Sequence, residues 1–237
     1  MPTLTAVPGA WGAISIDRIE PQSWIVVAAG LTALVAVWID GVWRWSRNVI
    51  TIVHEGGHAL AALLTGRRLT GIRLHADTSG LTLSVGRPTG PGMVMTAAAG
   101  YVSPPLVGLV GVALLTADQV TIMLWTAAGV LAAMLVMVRN LYGAMVLIVA
   151  GAAVVAISFY GSAGLQAGFA YGLTWFLLLG GVRPVFELWR QRHDSWGRAS
   201  DAAQLARLTR LPVLVWTGFF GLVSLGALIA GGYLLLT

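Results

Sequence analysis

Apolar and polar positions along this chain fall into long blocks. Apolar stretches run from about Trp24 to Trp43, Asn48 to Thr65, Met93 to Thr116, Val120 to Val138, Leu141 to Tyr160, Gly168 to Phe186 and Pro212 to Leu236. A helix needs about 20 mostly apolar residues to cross a bilayer. The pattern therefore predicts an all-α membrane protein, a polytopic helical bundle of about seven spans. The first break falls at Arg44-Trp45-Ser46-Arg47, and a polar loop occupies residues 187–211. Between 66 and 92 the period changes from helical to alternating. Leu69, Gly71, Ile72 and Leu74, then Leu81, Leu83 and Val85, flank a turn at Asp77-Thr78-Ser79-Gly80. This reads as a β-hairpin beside the membrane or dipping into it. No internal repeat is present, and residues 1–237 read as a single integral membrane domain.

Composition agrees with the pattern. Hydrophobic residues make up 57% of the chain and charged residues 10%, against roughly 25% charged in soluble domains. There is no cysteine, so neither disulfides nor thiolate ligands are available. All the basic residues are arginine. With the hairpin on the cytoplasmic side, alternating spans place Arg67, Arg68, Arg73, Arg87, Arg139, Arg190, Arg192, Arg198, Arg207 and Arg210 inside, and Arg18 with them. Only Arg44 and Arg47 then fall outside. The expected location is integral and multi-pass, in a bacterial cell membrane, with a cytoplasmic N-terminus. Asp17, Arg18 and Glu20 precede the first apolar run, which does not suit a cleaved leader. The net charge of +5 suits a lipid bilayer with an anionic inner surface, and no nucleic-acid surface is expected.

One segment carries chemistry. His54-Glu55-Gly56-Gly57-His58 lies inside an apolar helix. A spacing of four puts both imidazoles on one helical face, one turn apart, as a shared Zn2+ requires. Glu55, beside the first ligand, is placed to take a proton from a water at the ion. Ionisable groups inside a membrane helix are costly, and three within five positions mark a functional site. The competing reading is a polar cluster that joins helices.

The segment "TIVHEGGHALAALLTGRRLTGIRL" resembles the site-2 protease family of intramembrane zinc metalloproteases. Residues 66–92 resemble that family's membrane-associated hairpin, and "AAGYVSPPLVGL" resembles the segment that follows it. The resemblance is strongest over about residues 48–105. It implies cleavage of a peptide bond in or near a transmembrane segment of a membrane-protein substrate. The family takes its third ligand, an Asp, from an Asn-x-x-Pro-x-x-x-x-Asp-Gly pattern that this chain lacks. Among the later acidic residues, Asp118 falls on the wrong side, Asp77 belongs to a turn, and Glu187 reads as a solvated span end. Asp201 or Asp194 remains, and the resemblance of Ser200 to Pro212 to a segment of a divergent, compact branch of the family implies Asp201 as the ligand. Ser200 or Asp201 as a plain helix cap is the competing reading. Asn140, at a helix junction, reads first as an ordinary interface residue, with contact to substrate or to an oxyanion as its functional alternative. His75, His193 and Arg139 read as loop or anchoring residues. A scaffold or transporter that keeps a metal site is the alternative function.

Overall fold

The computed structural model describes residues 23–190 and 200–237. Helices α1 (Ser23–Trp38) and α2 (Asp40–Leu64) lead into a hairpin of β1 (Arg68–Leu74) and β2 (Gly80–Val85). Then come α3 (Pro91–Thr116), α4 (Val120–Met137), α5 (Leu141–Tyr160), α6 (Ala163–Arg190), the short α7 (Asp201–Thr209) and α8 (Val213–Leu236).

The chain breaks at Ile39, not at the expected 44–47. Ile39 is extended, Asp40 opens α2 where a carboxylate suits the helix dipole, and the two helices meet at 104°. Residues 44–47 stay helical, and the charge on Arg47 is met by a partner distant in sequence. Arg47 pairs with Glu187 at 3.2 Å, and the Trp43 indole donates to Glu187 at 3.1 Å. Arg183 also pairs with Glu187 at 3.1 Å, reaches Asp40, and lies over the Trp43 ring. Glu187 is therefore the centre of an ion cluster inside α6, not a solvated span end.

This corner changes the count. Five described helices are long and apolar enough to span, or up to six spans if α1 and α2 make one broken crossing. Alternating seven spans would set Ser23 on the hairpin side. Instead α1 runs parallel to α6, with Ile25 beside Gly168, Gly30 against Trp175 and the Val37 carbonyl accepting from Arg183. α3 runs the other way along α6, with Pro105 against Gly181 and Gly111 against Thr174. The starts of α1 and α6 and the end of α8 thus share one end of the bundle. The hairpin and α7 occupy the other. Residues 1–22, on which the N-terminal expectation falls, lie outside the described residues.

Lipid tails are as apolar as leucine, so these helices are held by close packing and not by escape from water. Leu178 in α6 is fully buried, with Gly108 of α3 and Gly231 of α8 against it.

The hairpin inverts the usual pattern of a soluble sheet. In β2, Leu81, Leu83 and Val85 face outward, while Gly80, Thr82 and Ser84 face the protein. Outward leucines beside inward hydroxyls are what a strand in lipid requires. β1 pairs antiparallel with β2, and its far edge is taken by residues 138–140: Arg139 donates its amide to Ile72 at 2.9 Å. β2 is left as the open edge of a two-stranded sheet.

α7 ends on Arg210 in the left-handed region, φ 62°, which costs an L-residue about 1 kcal/mol or more. Arg210→Gly should stabilise the protein by about 1 kcal/mol, seen as a higher thermal unfolding midpoint.

Candidate metal centre

α2 presents two faces to this site. His54 and His58 lie on one, and Thr51 and Glu55 on the next. The Nε2 atoms of His54 and His58 are 3.1 Å apart. Asp201 Oδ2 is 3.1 Å from His54 Nε2 and 3.2 Å from His58 Nε2. The carboxylate arrives at the first residue of α7, which docks through buried Ala202 and Leu205 near Phe220 of α8 and Ala97 of α3. Ser200, not Asp201, caps α7 by accepting from the Ala203 amide at 3.3 Å. The helix therefore has its cap and Asp201 faces the imidazoles. Asp194 and His193 lie outside the described residues.

The protonation pattern indicates what these donors want. His58 Nδ1 is 2.7 Å from the Thr96 carbonyl, which only accepts. Nδ1 therefore donates, which leaves Nε2 as the nitrogen that can meet a metal ion. Three possible donor atoms, one from each residue, converge on one point, an arrangement that could hold a metal ion. A tetrahedral zinc with bonds of about 2.05 Å has ligand separations of about 3.3 Å, close to those seen. All three donors lie within 4.8 Å of one another, the one such group found among the described residues.

α3 passes close behind the ligands at Gly100. A Cβ there would lie 2.4 Å from His58 Nε2 and 2.6 Å from His54 Nε2. Gly57 allows a similar approach on the α2 side, against Ser103 and the Ala99 carbonyl. Pro104 and Pro105 follow in α3. Having no N–H, they leave the carbonyls of Gly100 and Tyr101 without their helical donors.

The sequence model of the Peptidase M50B-like family matches residues 27–231, most of the chain. The chain belongs to that family. The resemblance seen over residues 48–105 thus extends to nearly all of the described bundle. No curated protein and no solved structure matches the chain. As a member of a site-2 peptidase family with several spanning-length helices, it is an integral membrane protein of the metalloprotease type.

Glu55 is 4% exposed. Its carboxylate accepts from the Thr82 hydroxyl at 2.6 Å, and Gly80 packs on its side chain. A cleft of about 150 Å³ opens beside it, lined by Arg47, Thr51, His54, Thr78, Ser79 and Tyr101 among others. Tyr101 sets its ring edge-on to His54, with centroids 5.0 Å apart, and stacks on Phe220 at 4.9 Å.

Asn140 is elsewhere. Its amide donates to the Leu74 carbonyl at 2.6 Å and accepts from the Leu74 amide at 3.2 Å, so it clamps the end of β1 and does not line the cleft. Asp77 serves the turn. It accepts from Ser79 Oγ at 2.6 Å and from the Ser79 amide, and these bonds hold its pKa below the ordinary value. Sequence reading missed Thr82, Gly100 and Tyr101. The inward position of Thr82 was available from the alternation of β2, and nothing local marked the other two.

Proposed function

We propose that this protein is an intramembrane zinc metallopeptidase that hydrolyses a peptide bond in or near a transmembrane segment of a membrane-protein substrate. The observation that carries this reading is the convergence of His54, His58 and Asp201 beside the buried carboxylate of Glu55. The donor set of two imidazoles and a carboxylate suits Zn2+ in its catalytic form, with one position left open. A zinc ion held there supplies Lewis acidity, which eases loss of a proton from water at neutral pH and polarises a carbonyl.

The residues supply the rest. His54, His58 and Asp201 hold the ion, and the Thr96 carbonyl fixes the tautomer of His58. Glu55 accepts a proton from the attacking water and returns it to the leaving amine. The open edge of β2 binds an unwound substrate segment by strand addition, through main-chain hydrogen bonds that do not demand one sequence. The cleft at Thr78–Gly80 runs from that edge to Glu55. The outward leucines let the hairpin do this at membrane depth.

We infer that the hairpin end faces the cytoplasm. Arg47 borders the cleft, with Arg44 one turn before it in α2, so both join the other arginines. The arginine asymmetry thereby becomes stronger than in the seven-span reading.

The test uses full-length protein in lipid vesicles. Its probe is a panel of fluorescence-quenched peptides, each with one apolar span interrupted by Gly or Pro. Glu55→Gln should keep one zinc per chain and lower kcat by about 10²–10⁴-fold. A scaffold or transporter would be indifferent to this change. Cleavage at the wild-type rate by Glu55→Gln overturns the reading.

A further inference from the structure

Glu55 is held from outside its own helix, and the contact comes from the element that borders the substrate cleft. Thr82 Oγ1 donates to Glu55 Oε2 at 2.6 Å and lies 3.1 Å from the Glu55 main-chain carbonyl. No other side-chain hydrogen bond to this carboxylate is found among the described residues. One turn earlier, Thr51 donates to the Thr78 carbonyl at 2.7 Å. The hairpin is thus tied to one face of α2 at two points, and one of these is the acid–base carboxylate itself.

A carboxylate on a helix has rotamers that point along the helix as well as toward the ligands. A proton acceptor must keep one oxygen near hydrogen-bond reach of its proton, and small displacements of a catalytic group are costly. With Oε2 engaged by Thr82 and the side-chain stem packed on Gly80, the carboxylate is fixed at both ends. The alternation of β2 explains why a threonine can do this. Position 82 faces α2, while Leu81 and Leu83 on either side face out.

We propose that Thr82 is a positioning residue for the reaction. Its hydroxyl sets the orientation of Glu55, so that the strand which receives substrate also aims the catalytic carboxylate. This rests on the reading of Glu55 as the acid–base group. Thr82→Val keeps the shape and the β-branch but removes the donor, and Thr82→Ser restores it.

In vesicles, with the quenched single-span peptides as probe, Thr82→Val should lower kcat at least tenfold. KM should stay within twofold, and zinc should remain at one per chain. Thr82→Ser should stay within threefold of wild type. A loss that appears only in KM, a kcat within twofold of wild type, or a serine variant as impaired as valine overturns the proposal. If Glu55→Gln cleaves normally, the underlying reading fails instead, so the two failures are distinct.

A second arm needs no turnover. Thr82→Val should lower the thermal unfolding midpoint clearly more in the wild-type background than in a Glu55→Ala background, where the carboxylate is gone and only the main-chain carbonyl of residue 55 remains as a partner. Equal shifts in both backgrounds overturn the contact, and with it the proposal.

Discussion

Alanine at position 100 should yield a folded protein that carries no zinc. The substitution adds one methyl to a helix, and alanine is favoured over glycine in helix interiors by about 1 kcal/mol. At this position, however, the methyl would lie 2.4 Å from His58 Nε2 and 2.6 Å from His54 Nε2. Neither α2 nor α3 can retreat cheaply. Gly57 already brings α2 against the Ala99 carbonyl and Ser103 of α3, and packed interiors do not deform smoothly. The imidazoles must rotate and lose their convergence with Asp201. Metal analysis of purified Gly100→Ala should give well under one tenth of the wild-type zinc, with peptide cleavage at background. Circular dichroism should be unchanged. Full zinc occupancy in this variant would show that the donors bind metal in another arrangement than the one seen.

Asp201→Ala should be nearly as damaging, for a different reason. It leaves two neutral imidazoles and removes the one anionic donor. Losing a residue that merely orients a ligand costs 10–100-fold in metal affinity, so losing a ligand should cost more than about 100-fold. The measurement is zinc retained after dialysis against a graded chelator series, with His54→Ala alongside. Both variants should release zinc at far lower chelator concentration than wild type. Zinc retention at the wild-type level by Asp201→Ala would move the third donor elsewhere, Asp194 being the first to examine. Ser200 keeps the cap on α7, so the variant does not confuse loss of the ligand with loss of the helix.

Local signals carried much of the picture. A spacing of four on one helix fixed which face His54 and His58 share, whatever surrounds them. The change of period at 66–92 identified the hairpin, and elimination in a chain with few acidic residues narrowed the third donor to Asp194 and Asp201. What failed was long-range. Arg44 and Arg47 looked like a break because charges inside an apolar helix need partners. The partner of Arg47 is Glu187, itself paired with Arg183, and both are far away in sequence. The same blindness made Glu187 appear solvated, and it left the partner of Asn140 unnamed until the structure set it against Leu74. Gly100 resembled any small residue in a membrane helix, since its role depends on which atoms approach it. The orientation of α1 was lost with the misplaced corner, because one span too many reverses every segment before it.

The metal centre draws on residues from the first quarter of the chain and from the start of its last helical pair. A polypeptide still emerging from the ribosome has inserted His54 and His58 long before Asp201 is synthesised. On the proposed reading it holds an incomplete donor set until then. On the same reading, a nascent chain that stops short of α7 would hold no zinc here and cleave nothing, so the docking of α7 acts as a safety catch.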